Sequence, residues 1–224
     1  MNDFFKAFYD FYYNLSSALK ASIIVFIVLI IMTTVVGLRV KKLDYRKTPK
    51  GFTFIMIWLV DLINKMLVPI FPKYHKTFQP LLLTMFMYLV FANWASLVGL
   101  TAPLSNLNIA LSMSIIVFAT IQGSALVIKR PVARMKALLS PNPVFLPLNL
   151  IGEFSTPFSM GMRLFGNLMS GSILAILIYH FTSYVGIFIG AFLLHPVFDI
   201  FVGAIQAYVY LSLFSIFLAI AVED

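Results

Sequence analysis

Apolar runs of about one bilayer's length, set apart by basic clusters, constrain this chain more than any other feature. Residues 17–38, 79–100 and 106–128 each hold roughly the 20 apolar residues that a helix needs to cross a hydrocarbon core. Two longer runs follow, 148–181 and 186–221. With 61% hydrophobic and 11% charged residues, the chain departs from a soluble domain, which is nearer half apolar and a quarter charged. An all-α integral membrane protein is expected, its core made against neighbouring helices and lipid. The 224 residues suit a single membrane domain, 1–224, in which an N-terminal part (1–75) precedes a helix bundle (76–224).

Charge sets the expected orientation. Of 16 Lys and Arg residues, six lie in RVKKLDYRKTPK (39–50) and four in KRPVARMK (129–136). Basic clusters beside apolar runs mark cytoplasmic loops. The N-terminus is therefore expected outside and the C-terminal AVED inside, in a multi-pass protein of the cell (plasma) inner membrane. A formal net charge of +8 also suits nucleic acid, but here the charge sits at membrane edges, so no nucleic acid is expected as a partner. The absence of cysteine excludes disulfides and thiolate metal sites. MNDFFKAFYDFYYNLSSALK lacks a basic n-region and a small-residue cleavage site, so the first apolar run reads as a retained helix rather than a signal peptide.

Residues 51–71 are apolar but are interrupted by Asp61, Asn64 and Lys65, with Pro69 and Pro72 at the end. A helix lying in the cytoplasmic interface, or re-entering from it, fits better than a clean span. The expectation is about five transmembrane helices plus one interfacial helix. The last two runs hold over 30 residues each, so as helices they would be roughly 50 Å long against a core of about 30 Å. They must tilt steeply, lie partly in the membrane plane, or break. Pro157 and Pro196 allow kinks.

Arg163 stands inside the fifth run, and no other Lys or Arg follows Ala137. A charge at mid-bilayer costs about 2.5–3.5 kcal/mol on insertion scales, so something must offset it. Gly152, Ser155, Ser159, Arg163, Asn167 and Ser170 step by three or four and share one helix face. Phe154, Phe158, Leu164, Leu168 and Ile176 occupy the opposite side. Close helix packing accounts for the serines and glycines of such a stripe. It does not account for a guanidinium, which stays charged at any ordinary pH. Asp199, Gly203, Gln206 and Tyr210 form a second stripe on the last helix, and Asp199 is the only acid in that helix interior. Two readings stand side by side: a direct Arg163–Asp199 ion pair, or a polar path through the membrane served by both. Intramembrane ionisable residues mark ion pathways by default.

His195 and Asp199 have a spacing of four, a legitimate metal-ligand spacing, but zinc needs three or four ligands and no HExxH is present. His180, at the outer end of the fifth run, reads as a solvated histidine. Glu153, near the cytoplasmic end, is a helix-start acid or lines an aqueous entrance. No phosphate-binding loop, dinucleotide fingerprint or nucleophile elbow occurs. No cofactor and no metal are expected.

LPLNLIGEFSTPFSMGMRLFGNLMSG (146–171), GAIQAYVYLSLFSIFLAIA (203–221) and APLSNLNIALSMSI (102–116) together resemble subunit a of the rotary F-type ATP synthase. The resemblance covers residues 76–224 well and the first 75 in pattern only. It implies a membrane stator against which a ring of c subunits turns, with two offset proton half-channels coupling proton flow to rotation and ATP synthesis. Its implied partners are the c-ring, the peripheral-stalk b subunits, the rest of the complex and membrane lipid. Arg163 matches the family's arginine that faces the passing c-ring carboxylate. Gln206 and Asn167 match its helix-six glutamine and its asparagine. Asp199 falls where members carry a histidine or acid of the outer half-channel. Ser172 and Asn106 stand where titratable residues are common, which leaves Asp199 as the main titratable candidate on the outer path. Ser155, Ser159 and Glu153 are candidates for the cytoplasmic path. The alternatives are a metal-dependent intramembrane enzyme built on His195 and Asp199, which lacks a third ligand, and a stand-alone ion transporter, for which no inverted repeat is found.

Overall fold

A computed structural model describes residue 13 and residues 15–42, 51–70, 72–128, 144, 146–189 and 196–223. Among the described residues all regular structure is helical. Lipid offers no partner to a backbone N–H or C=O, and helices satisfy these groups within each segment. Among the described residues there are six α-helices: α1 Ser17–Lys41, α2 Phe52–Ile70, α3 His75–Trp94, α4 Leu107–Ile128, α5 Leu146–Ile189 and α6 Gly203–Glu223. Short 3₁₀ turns at Ala95–Val98 and Pro103–Ser105 join α3 to α4, and a π-helical segment, Pro196–Val202, leads into α6. The six apolar segments are long and apolar enough to cross a membrane, the last of them combining the π segment with α6.

The helix expected over residues 51–71 is α2, which by length and composition also qualifies as a span. Its polar residues include an exposed ion pair, Lys65 Nζ to Asp61 Oδ2 at 2.8 Å. Thr53, Ile63 and Leu67 form its buried side.

One hydrophobic cluster draws residues from all six helices, with Leu82, Tyr88, Leu89, Val117, Leu164, Leu211, Phe214 and Leu218 at its centre. α6 is the hub, touching α2, α3 and α4. α1 is pinned to α3 by a buried hydrogen bond between Ser22 Oγ and Tyr88 OH at 2.8 Å, with the Phe26 ring stacked on Tyr88 at 4.6 Å. α5 packs chiefly on α4 and is the least buried of the six apolar segments.

The last two apolar runs divide differently from the sequence expectation. α5 continues unbroken through Pro157 and past Phe181 to Ile189, taking in the residues expected to start the last helix. Its 44 residues make a rod of about 66 Å. The residues expected to separate the two helices, TSYV (182–185), hold neither a proline nor a polar cluster strong enough to end a helix. The final helix is the one that changes form, through the π-helical turns after Pro196.

Candidate functional site

The direction of Arg163 is set by a glycine two residues earlier. A Cβ at Gly161 would lie 2.8 Å from Ser114 Oγ, 3.1 Å from a Leu111 methyl and 3.2 Å from the Ala110 carbonyl. Only a glycine lets α4 come this close. Met160, Gly161 and Leu164 form the side of α5 buried against the bundle. Residues 161 and 163 are about 200° apart on a helix, so Arg163 points away from α4. Ser155, Ser159, Arg163 and Ser170 are exposed on the chain's own surface, as is Gly152. Phe154, Phe158 and Ile176, expected opposite this stripe, are exposed too, so the buried side of α5 is narrower than the apolar pattern implies. Among the described residues no ion pair joins Arg163 to Asp199.

One helical turn beyond Arg163, α5 meets α6 through polar side chains. Asn167 Nδ2 donates to Gln206 Oε1 at 2.5 Å. Gln206 is 7% exposed, and its Nε2 has no hydrogen-bond partner among the described residues. A third helix joins this level: Asn93 Nδ2 on α3 donates to the Gly203 carbonyl at 3.2 Å. A Cβ at Gly203 would fall 2.8 Å from Asn93 Cβ, so the glycine permits the approach. Asn93, Asn167 and Gln206 help line a cavity of about 10 Å³, close to the space one water needs.

Asp199 lies on the π-helical segment and is half-buried. It lines a larger cavity of about 360 Å³ together with Ser96, Thr101, Ser105 and Ser172. π-helical turns recur at functional sites. Here the turn brings Asp199 to the level of Ser172 on α5, nine residues beyond Arg163.

Glu153 lies toward the opposite end of the described bundle, where Gln122 Nε2 of α4 donates to its Oε2 at 3.0 Å. It precedes Arg163 by ten residues, or about 15 Å of helix, and Ser172 follows Arg163 by about 14 Å. The seven expected site residues thus fall into three groups: Glu153, Ser155 and Ser159 before Arg163, Asn167 and Gln206 beside it, and Asp199 beyond it.

Five polar residues of this arrangement were not among the expected site residues: Asn93, Ser96, Thr101, Ser105 and Gln122. Asn93 and Gln122 stand out as lone amides inside apolar helices, which is the signal that marks them. Asn106 acts locally, its Oδ1 accepting from Asn108 N at 2.9 Å at the start of α4. His180 is exposed on α5. His195, and with it the proposed His195–Asp199 ligand pair, lies outside the described residues. Among the described residues no group of three His, Cys, Asp or Glu side chains is arranged to hold a metal.

The family described as ATP synthase A chain matches residues 21–219. A protein of Chlorobaculum tepidum called ATP synthase subunit a 2 is 28% identical over 210 residues, covering 87% of this chain and 59% of its own length. ATP synthase subunit a of Oceanobacillus iheyensis is 30% identical over 185 residues, covering 76% of this chain and 77% of that protein. A Picosynechococcus protein called ATP synthase subunit a 2 is 30% identical over 183 residues, 81% of this chain and 76% of the relative. The chain therefore spans less than two thirds of the Chlorobaculum relative's length.

Proposed function

The chain belongs to the ATP synthase A chain family, and from that premise we propose that it is the non-catalytic membrane stator of an F-type ATP synthase. It offers two proton half-channels to a c-subunit ring and couples proton flow to rotation and ATP synthesis. The observation that carries the reading is the exposure of Arg163 near the middle of α5, with no carboxylate of this chain paired to it among the described residues. A charge at that depth calls for a partner, and its outward direction supports one supplied from outside this chain. A carboxylate passing on the ring meets the requirement.

The roles of the side chains follow from charge and position. A proton reaches Asp199 from the outer cavity and passes by the Asn167–Gln206 amides toward the ring carboxylate. Arg163 favours the ionised form of that carboxylate by charge pairing and so drives the incoming proton's acceptor into its charged state. The guanidinium does not give up a proton, so it separates the two half-channels against a direct leak. Ser155, Ser159 and Glu153 offer hydrogen-bonding groups for release on the other side. Each unit charge crossing 100 mV supplies about 2.3 kcal/mol to the turning ring. The partners of this reading are the c-ring, the peripheral-stalk b subunits and lipid. The orientation is N-terminus outside and C-terminus in the cytoplasm of a plasma membrane.

Proton flux in vesicles that hold the whole complex tests the proposal. Arg163→Ala should abolish ATP-driven pumping while the complex stays assembled. Unchanged pumping in that variant would overturn the reading.

A further inference from the structure

The two cavities beside α5 and α6 have only two lining residues in common, Leu168 and Phe198. On one side lies the 360 Å³ space with Asp199 and Ser172; on the other lies the 10 Å³ space with Asn93, Asn167 and Gln206. Both shared side chains are apolar, and both are half-buried. We propose that Phe198, closing against Leu168, is a hydrophobic neck that controls passage of water and protons from the Asp199 cavity to the Asn167–Gln206 cavity. The inference rests on the half-channel reading and deepens it by naming the residues that meter access.

Three features argue for a device rather than ordinary packing. First, the neck interrupts a polar route, with carboxylate and hydroxyl groups before it and three amides after it. A constriction lined by apolar groups empties of water when narrow and conducts when it widens. Second, the Phe198 ring has a seat without a side chain beneath it. A Cβ at Gly171 would lie 3.4 Å from the nearest ring carbon, in ordinary van der Waals contact. The glycine leaves that side of the ring open to movement. Third, Phe198 belongs to the π-helical segment, whose exit is tied down by the Asn93–Gly203 hydrogen bond. Backbone rearrangement of those turns would carry the ring while α6 stays fixed. Gln206 lines the small cavity, and its buried Nε2, which has no hydrogen-bond partner among the described residues, is a donor left for an arriving water.

The chain's lack of cysteine allows a direct test in the whole complex, with cysteines removed from the other subunits. A Val202→Cys thiol reports on the small cavity and a Ser172→Cys thiol on the large one. Silver ion is added to vesicles, and the thiol left unreacted is counted with a fluorescent maleimide after denaturation. Phe198→Ala should speed reaction at position 202 by about tenfold, a barrier change of about 1.4 kcal/mol. Reaction at position 172 should stay within about twofold, well inside that factor of ten. Phe198→Leu keeps an apolar plug and should leave position 202 slow. Leu168→Ala widens the same neck from α5 and should match Phe198→Ala if the latter fails to assemble. The neck is overturned if neither alanine variant speeds reaction at position 202, or if Phe198→Leu speeds it as much as Phe198→Ala. The labelling does not depend on pumping. Loss of the Arg163 effect would therefore remove the half-channel reading without altering these rates, and flat rates would remove the neck alone.

Discussion

The amide of Asn167 donates to the amide oxygen of Gln206 across the α5–α6 boundary, one helical turn from the exposed guanidinium of Arg163. It joins the helix that carries the charge to the helix that continues from the Asp199 segment. A double-mutant cycle with Asn167→Ala and Gln206→Ala should give a coupling of about 0.6 kcal/mol, with about 1.7 kcal/mol as the upper end for such bonds between membrane helices. The measurement is thermal dissociation of the subunit from the complex. Additive losses would mean that the two amides act independently.

Arg163→Lys keeps the positive charge but not its permanence. A lysine at this depth can release its proton, and its single ammonium replaces a planar fork. The expected result is lost or strongly reduced pumping, with passive proton leak above that of the unsubstituted complex. Both are read from vesicles, one with ATP and one with an imposed gradient. A tight, fully pumping lysine variant would show that charge alone suffices.

Asp199 and Ser172 line one cavity, so a carboxylate at either position would stand in the same space. Asp199→Asn should reduce proton-driven ATP synthesis by about 100-fold, the scale of losing one positioned proton-transfer group. Adding Ser172→Glu to that variant should recover a measurable part of the rate, because a carboxylate returns to the same space. Synthesis rates under a fixed gradient decide it. No recovery would confine the function to position 199.

Gly161→Ala forces a methyl into contact with α4 at 2.8 Å from Ser114 Oγ. Overpacking of this kind costs about 1–3 kcal/mol. The variant subunit should dissociate at a lower temperature, and Ser114→Ala should restore part of the loss by removing the nearest atom. Full restoration is not expected, because the Ala110 carbonyl lies within 3.2 Å of the new methyl.

Much of the helical frame was legible in the residues. Apolar length and basic clusters locate the helices, and the three-and-four spacing from Ser155 to Asn167 already aligns the stripe on α5. The boundary between α5 and the last helix was not legible, because Thr182 and Ser183 are too weak to stop a helix. The π-helical turns were hidden for a different reason. They accompany an approach of Asn93 to Gly203, residues 110 positions apart, which no local pattern encodes. The Gln122–Glu153 bond, 31 positions apart, was hidden in the same way. The outward direction of Arg163 could be guessed from the stripe, but the reason for it lies in the tight seat of Gly161 on α4.

That seat bears on mechanics as well as on direction. Gly161 and Arg163 are neighbours along α5 but face opposite ways, one into α4 and one out of the chain. A lateral force applied to the guanidinium is met almost directly behind it by the backbone of another helix. The load is carried in compression across the α4–α5 contact, where a close-packed interior yields little, rather than by bending a 66 Å rod. Recoil against a moving partner would then be absorbed at one stiff point, and the timing of each step would depend little on how the far ends of α5 flex.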